Sequence, residues 1–123
     1  MTMKNRQTDS EAAETRHLVA WLRFRCVRFF AIPNGTMLGG YNRYAVMAQL
    51  KAQGLHAGAP DLVLIDRSPK TGRPVAVEMK RRIGGRLSEA QKLTHAIMRG
   101  CDWDVVVGWG FESARNQITE LGF

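Results

Sequence analysis

Two apolar runs joined by a short polar stretch constrain the fold of this chain more than any other feature. The first run, Asp61-Leu62-Val63-Leu64-Ile65, is apolar after its first residue, and the second is Val75-Ala76-Val77-Glu78-Met79-Lys80. Runs of this length and composition predict buried β-strands. The connection, residues 66–74, carries Pro, Gly, Lys and Arg and is expected to be exposed. We therefore predict that the two strands form a hairpin.

Helices and strands predicted in the rest of the chain place this hairpin in an α/β fold. We predict helices over residues 10–25, 44–53, 88–100 and 111–121, and strands over 27–32 and 104–107. The order α-β-α-β-β-α-β-α indicates a central mixed β-sheet flanked by helices. Because 123 residues suit one domain and no repeat or linker interrupts them, we predict an N-terminal tail over 1–9 and a single domain over 10–123.

The charge balance favours a polyanionic partner. The chain has 18 Lys and Arg residues against 11 Asp and Glu residues, a formal net charge of +7. Nucleic acid is the commonest partner of basic domains. Cys26 and Cys101 lack the spacing of a disulfide framework, and the sequence contains neither a membrane-spanning run nor the apolar core of a signal peptide. We therefore expect a cytoplasmic protein that does not bind membranes.

Three charged residues of the predicted hairpin are the candidate catalytic residues. Asp61 begins one strand, and Glu78 and Lys80 lie two residues apart on the next, so their side chains share a face. Charges inside a core strand cost free energy unless they are paired or bind a metal. Metal-dependent phosphodiester hydrolysis needs carboxylates to hold Mg²⁺ and a cation near the attacking water. The alternative is a solvated edge strand, with Asp61 capping a turn.

The order of these residues resembles the PD…(D/E)xK pattern of the restriction-endonuclease-like superfamily. Within that superfamily, the chain is most similar to the VRR-Nuc (virus-type replication-repair nuclease) family. The similarity lies in three segments in the family's order: Gly58-Ala59-Pro60-Asp61-Leu62, Glu78-Met79-Lys80 and Leu87-Ser88-Glu89-Ala90-Gln91. An acidic first helix with Trp21-Leu22, a Pro33-Asn34-Gly35 turn and Gly100 also match, so the resemblance covers residues 10–108.

The resemblance implies a restriction-endonuclease-like core that cleaves DNA with Mg²⁺ or Mn²⁺. It assigns Asp61 and Glu78 to the metal, helped by the backbone carbonyl of Met79, and Lys80 to the attacking water. Stand-alone members of the family look like homodimers that act on branched DNA such as four-way junctions. A homodimeric, structure-selective endonuclease is therefore the expectation for this chain.

Two further residues have family roles that compete with structural explanations. By resemblance, Gln91 steadies water or phosphate beside the site, but Ser88-x-x-Gln91 also matches a helix capping box. Glu11 corresponds to the family's first-helix acid, which reaches the metal directly or through water. Glu11 also suits a capping box with Thr8, and Glu14 competes with it for the role at the metal.

Basic residues near the predicted site are candidate DNA contacts. They are Arg81, Arg82, Arg86 and Lys92, together with Asn34 of the Pro33-Asn34-Gly35 turn. The position of the arginines beside Lys80 favours phosphate contact over a solvated loop.

The three histidines do not predict a zinc site. His17, His56 and His95 share no ligand spacing with one another or with the cysteines. We expect His17 and His95 to be surface or half-buried helix residues. Two other kinds of protein remain open: a catalytically silent nucleic-acid-binding module, and an enzyme that hydrolyses mononucleotides.

Overall fold

One mixed sheet and four helices make up the part of the protein that the structure describes. The computed structural model describes residues 9–33 and 43–123. The helices are α1 (Glu11–Phe24), α2 (Arg43–Ala52), α3 (Glu89–Gly100) and α4 (Phe111–Glu120). The strands are β1 (Phe29–Ala31), β2 (Leu62–Leu64), β3 (Val75–Lys80) and β4 (Asp104–Trp109). The α/β class and the predicted order of elements are confirmed.

The sheet has the strand order β1-β2-β3-β4 and combines both kinds of pairing. β1 pairs antiparallel with β2, and β2 pairs antiparallel with β3, so the predicted hairpin is present. β3 and β4 run parallel, with Glu78 beside Val107 and Lys80 beside Trp109. Parallel neighbours need a crossover connection, and α3 lies in that connection.

Alternation along β3 directs its side chains to two faces of the sheet. Val75, Val77 and Met79 face α1 and α4, where the hydrophobic core lies. The core also contains Leu18, Leu22, Val27, Leu62, Leu64, Val106, Ala114 and Ile118. Glu78 points the other way and contacts α3. All six residues of β3 are buried, so the charged pair that it carries is buried with it.

The first strand is shorter than predicted because the C-terminal cap of the preceding helix extends to Val27, inside the range predicted for the strand. Cys26 adopts a left-handed conformation with φ 59°, and the Val27 N–H donates to the Leu22 carbonyl. This arrangement terminates α1 and leaves β1 to begin at Phe29.

Among the described residues, none of the helices has the length and apolar content that crossing a lipid bilayer requires.

Candidate active site

Asp61 and Glu78 lie together at the end of the β2–β3 hairpin that is farthest from its connecting turn. The Asp61 N–H donates to the Val77 carbonyl at 3.0 Å, which extends the antiparallel pairing by one residue. Asp61 Oδ2 accepts a hydrogen bond of 2.7 Å from the Met79 N–H. The Asp61 carboxylate is therefore fixed against the backbone between Glu78 and Lys80, and it shares a hydrogen bond with the Glu78 carboxyl.

Glu78 is too well buried, and too close to Asp61, for both carboxyl groups to be ionised without a cation. Glu78 is only 1% exposed. Burial, followed by the hydrogen bond and the charge of Asp61, raises the pKa of Glu78 to about 9, while Lys80 acts in the opposite direction. At neutral pH, Glu78 therefore keeps its proton and can donate it in the hydrogen bond to Asp61.

This pair has the donor chemistry that Mg²⁺ and Mn²⁺ require. Both ions prefer oxygen ligands, and a bound cation would replace this proton. The described residues contain no cluster of three or more His, Cys, Asp or Glu side chains arranged around one metal position. Mg²⁺ commonly binds through one or two carboxylates and keeps several waters, so the pair fits this ion better than it fits zinc.

The structure gives Glu11 and Glu14 different contacts. Glu11 lines the same cleft as Asp61 and Lys80. Burial raises the pKa of Glu11, the charge of Lys80 lowers it, and the charge of Asp61 raises it. Glu14 is 8% exposed, and its Oε2 accepts a hydrogen bond from the Phe111 N–H. Glu14 therefore caps α4, and Glu11 is the acid of α1 that reaches the site.

Gln91 occupies the capping box that the sequence predicts and also lines the cleft. Its Oε1 accepts from the Ser88 N–H at 2.8 Å, and its own N–H donates to Ser88 Oγ at 3.1 Å. The N-cap of α1 is Ser10, whose Oγ accepts from the Ala13 N–H at 3.1 Å. The capping box proposed for Thr8 and Glu11 is therefore not the cap of α1, and Thr8 itself lies outside the described residues.

The space in front of Asp61 and Lys80, which we call the hairpin cleft, has a volume of about 320 Å³. Its far wall comes from α2 and the loop that follows. The lining residues are Glu11, Met47, Lys51, Leu55, His56, Ala57, Gly58, Ala59, Asp61, Lys80 and Gln91. The sequence did not point to Lys51 or His56, because neither belongs to a recognisable motif.

Gly58 holds this wall against α3. Its φ is +89°, and a Cβ at this position would lie 2.3 Å from the Ala90 carbonyl oxygen. The first residue of the Gly-x-Pro-Asp segment must therefore be glycine for two reasons, its backbone conformation and its close contact.

His95 corrects one prediction. We expected a surface or half-buried residue, but His95 is 1% exposed, and its Nε2 lies 3.3 Å from Glu78 Oε1. Burial lowers its pKa, and the charges of Arg99 and Lys80 lower it further. Nδ1 is buried without a hydrogen-bond partner among the described residues. His95 lies one helical turn after Gln91, a spacing that places both on one helix face.

The predicted DNA contacts that the structure describes are exposed and lie close to the site. Arg81, Arg82 and Arg86 belong to the segment 81–86, which directly follows Lys80 and which we call the basic loop. Lys92 is exposed on α3 and forms an ion pair of 3.2 Å with Glu89. Asn34 lies outside the described residues. His17, as expected, is at the surface, where it stacks on Phe111 at 3.7 Å between ring centroids.

Comparisons with known proteins agree with the observed fold. No curated protein matches the chain in sequence. A solved structure of a "VRR_NUC domain protein" superposes with a TM-score of 0.75 at 17% sequence identity, over 92% of this chain and 88% of that chain. At that identity, the likeness concerns the fold. The sequence profile of the VRR-NUC domain matches residues 3–111. The chain therefore belongs to the VRR-NUC family of nuclease domains.

Proposed function

We propose that this protein is a metal-dependent nuclease that hydrolyses DNA phosphodiester bonds at the hairpin cleft. The observation that carries the proposal is the buried Glu78 carboxyl, which lies in hydrogen-bond contact with the half-buried Asp61 and next to the buried Lys80. A core strand gains no stability from such a pair, because burial of the carboxyl groups costs free energy and ionisation of both would place two negative charges side by side. Strongly perturbed carboxyl groups in a cleft are typical of functional sites.

The metal ligands in this proposal are Asp61, Glu78 and the backbone carbonyl of Met79. Glu11, at the cleft wall, would reach the ion directly or through water. Bound Mg²⁺ or Mn²⁺ would supply charge neutralisation at the phosphate and a lower pKa for the attacking water. Asp61 is suited to this role because the Met79 N–H already fixes one of its oxygens.

Lys80 and Gln91 provide the polar groups around the reacting phosphate. Lys80 is 8% exposed and lines the cleft, so its ammonium group is partly shielded from water and acts at greater strength than at the surface. We assign Lys80 to orienting the attacking water and to stabilising the negative charge that develops on the phosphate. Gln91 is held by its capping box and offers its amide group to water or phosphate.

Binding of DNA is supported by charge. The net charge is +7, and the exposed Arg81, Arg82 and Arg86 lie directly after Lys80. Lys92 and Asn34 complete the proposed phosphate contacts. A homodimer that acts on branched DNA belongs to the same proposal, because a two-fold dimer presents two clefts to a symmetric four-way junction.

The proposal is tested by incubating the protein with labelled linear, nicked, flapped and four-way-junction DNA, with Mg²⁺, Mn²⁺ or EDTA. We expect metal-dependent cleavage that Asp61→Asn and Lys80→Met strongly reduce. Lys70→Met, an exposed lysine at the opposite end of the sheet, is the matched control and should cut normally. Binding without cleavage of any substrate would instead support a silent DNA-binding module, and turnover of mononucleotides alone would support a nucleotide hydrolase.

The oligomeric state is measured separately by light scattering. A mass of two chains is the expected result. If the protein is a monomer under the conditions in which it cleaves four-way junctions, the homodimer is removed from the proposal.

A further inference from the structure

The end of β4 carries a tryptophan next to the proposed catalytic lysine. Trp109 pairs with Lys80 in the parallel β3–β4 register, two positions after Val107 pairs with Glu78. Paired residues on neighbouring strands point to the same face of a sheet, and the strands lie about 4.8 Å apart. Trp109 therefore lies on the same face of the sheet as Glu78 and Lys80. It lies on β4, one strand away from Lys80, whereas the hairpin cleft lies on the β2 side of Lys80.

The indole ring of Trp109 is fixed and partly exposed. Its Nε1 donates a hydrogen bond of 3.0 Å to the Gly85 carbonyl, yet the residue is 40% exposed. Indole has a single polar group, and here the protein itself satisfies it. What Trp109 offers to solvent is therefore the apolar π surface of the ring, held in one orientation.

The loop that fixes the ring is itself tightly closed. A Cβ at Gly85 would lie 2.5 Å from the Arg81 carbonyl oxygen, and Gly84 has a φ of +81°. On the strand side, the Gly110 N–H donates to the Lys80 carbonyl at 2.9 Å. Trp109 thus rests against a short turn that larger residues at these glycine positions would open.

The loop that holds the ring is positively charged. Arg81, Arg82 and Arg86 of the basic loop are all exposed, and they follow directly after Lys80. An aromatic surface among cations is the combination by which proteins hold single-stranded nucleic acid: bases stack on the ring and phosphates contact the charges. A base inside a duplex has both faces covered by its neighbours and cannot stack in this way.

We propose that Trp109 is a stacking platform for an unpaired base of the DNA substrate, next to the phosphate that lies at Lys80. This inference rests on the proposed nuclease function and adds to it a preference for substrates with unpaired or splayed nucleotides. The basic loop contacts the backbone of the same strand, and the tryptophan holds the base.

Tryptophan fluorescence tests the stacking directly, because a base stacked on indole quenches its emission. The metal-free protein in EDTA is titrated with oligothymidylate, so that no cleavage interferes. We expect quenching in the wild type, and loss of that quenching in Trp109→Phe. Trp103→Phe is the matched control, because Trp103 lines a separate pocket at the other end of β4 and should leave the quenching intact.

Binding affinity provides the second measurement. Trp109→Ala should weaken binding of the oligothymidylate by roughly 5- to 150-fold, the range for loss of one base–aromatic stack. Trp109→Phe keeps an aromatic ring and should stay close to wild type, and it also serves if the alanine variant does not fold. Binding of blunt duplex DNA should be the same in all variants.

The outcomes separate the two proposals. Quenching that survives in Trp109→Phe, or equal weakening of single-stranded and duplex binding in Trp109→Ala, would overturn the stacking platform even if the wild type cuts DNA. Trp109-dependent quenching in a protein that cleaves no substrate would support the platform and refute the nuclease.

Discussion

Metal binding should release a proton from Glu78, and its strength should therefore depend on pH. With the pKa of Glu78 raised to about 9, mainly by burial and by Asp61, the protonated form is favoured at all pH values below that point. The ion binds the ionised carboxylate, so a raised pKa weakens binding at low pH. The affinity should therefore rise with pH and level off above the pKa.

The size of the effect follows from the ionised fraction of Glu78. With a pKa of about 9, roughly 1% of this carboxyl is ionised at pH 7 and roughly half at pH 9. The dissociation constant for Mn²⁺ should fall about 50-fold between these pH values, equivalent to about 2.3 kcal/mol. Calorimetry in buffers of different ionisation enthalpy should detect the release of about one proton per ion at pH 7 and about half a proton at pH 9.

Two variants serve as controls for this measurement. Asp61→Asn removes the negative charge that helps to raise the pKa of Glu78, so its remaining Mn²⁺ binding should vary less with pH. Glu78→Gln cannot release the proton and should show the weakest dependence. His95 contributes little in this interval, because its pKa is lowered and the ring is already neutral. Wild-type affinity that is equal at pH 7 and pH 9, without proton release, would refute the reasoning.

Three further predictions concern single side chains. Lys80→Met should lower the cleavage rate by roughly 10²- to 10⁴-fold and leave calorimetric Mn²⁺ binding nearly unchanged; equal loss of both would contradict the role at the water. Glu11→Ala should lower cleavage without lowering the melting temperature, whereas Glu14→Ala should destabilise by about 1–2 kcal/mol, and the reverse result would exchange the two roles. His95→Leu should weaken Mn²⁺ binding by roughly 10-fold or more through loss of its contact with Glu78, His95→Gln should recover part of it, and failure of both effects would make His95 a packing residue only.

Local patterns were sufficient to predict the elements of the fold. The two apolar runs of the hairpin and the apolar stripe of the first helix depend on neighbours a few residues away, so the sequence displays them directly. The parallel pairing of β3 with β4 joins segments separated by α3, and local patterns did not specify which strand lies beside Lys80. Trp109 could not be placed next to the site for this reason.

The three central residues of the candidate site could be predicted to lie near one another because they belong to one hairpin, where alternation fixes the shared face of Glu78 and Lys80. The choice between Glu11 and Glu14 could not be made, since both lie on one side of α1 and the docking of the helix decides which enters the cleft. The burial of His95 is also a tertiary effect, because it depends on how α3 covers Glu78.

The cap that Glu14 provides for α4 also bears on when the protein can act. It joins residues 97 positions apart, and α1 and α4 pack against each other on the core face of the sheet. Glu11 lies on the same helix, so it takes its place in the cleft only when α1 has docked. During synthesis α1 leaves the ribosome first and Phe111 emerges much later, so the long-range contact forms late. A nascent chain that has not yet exposed Phe111 therefore lacks an assembled cleft, and nucleic acids near the ribosome meet the proposed nuclease site only after α4 has emerged.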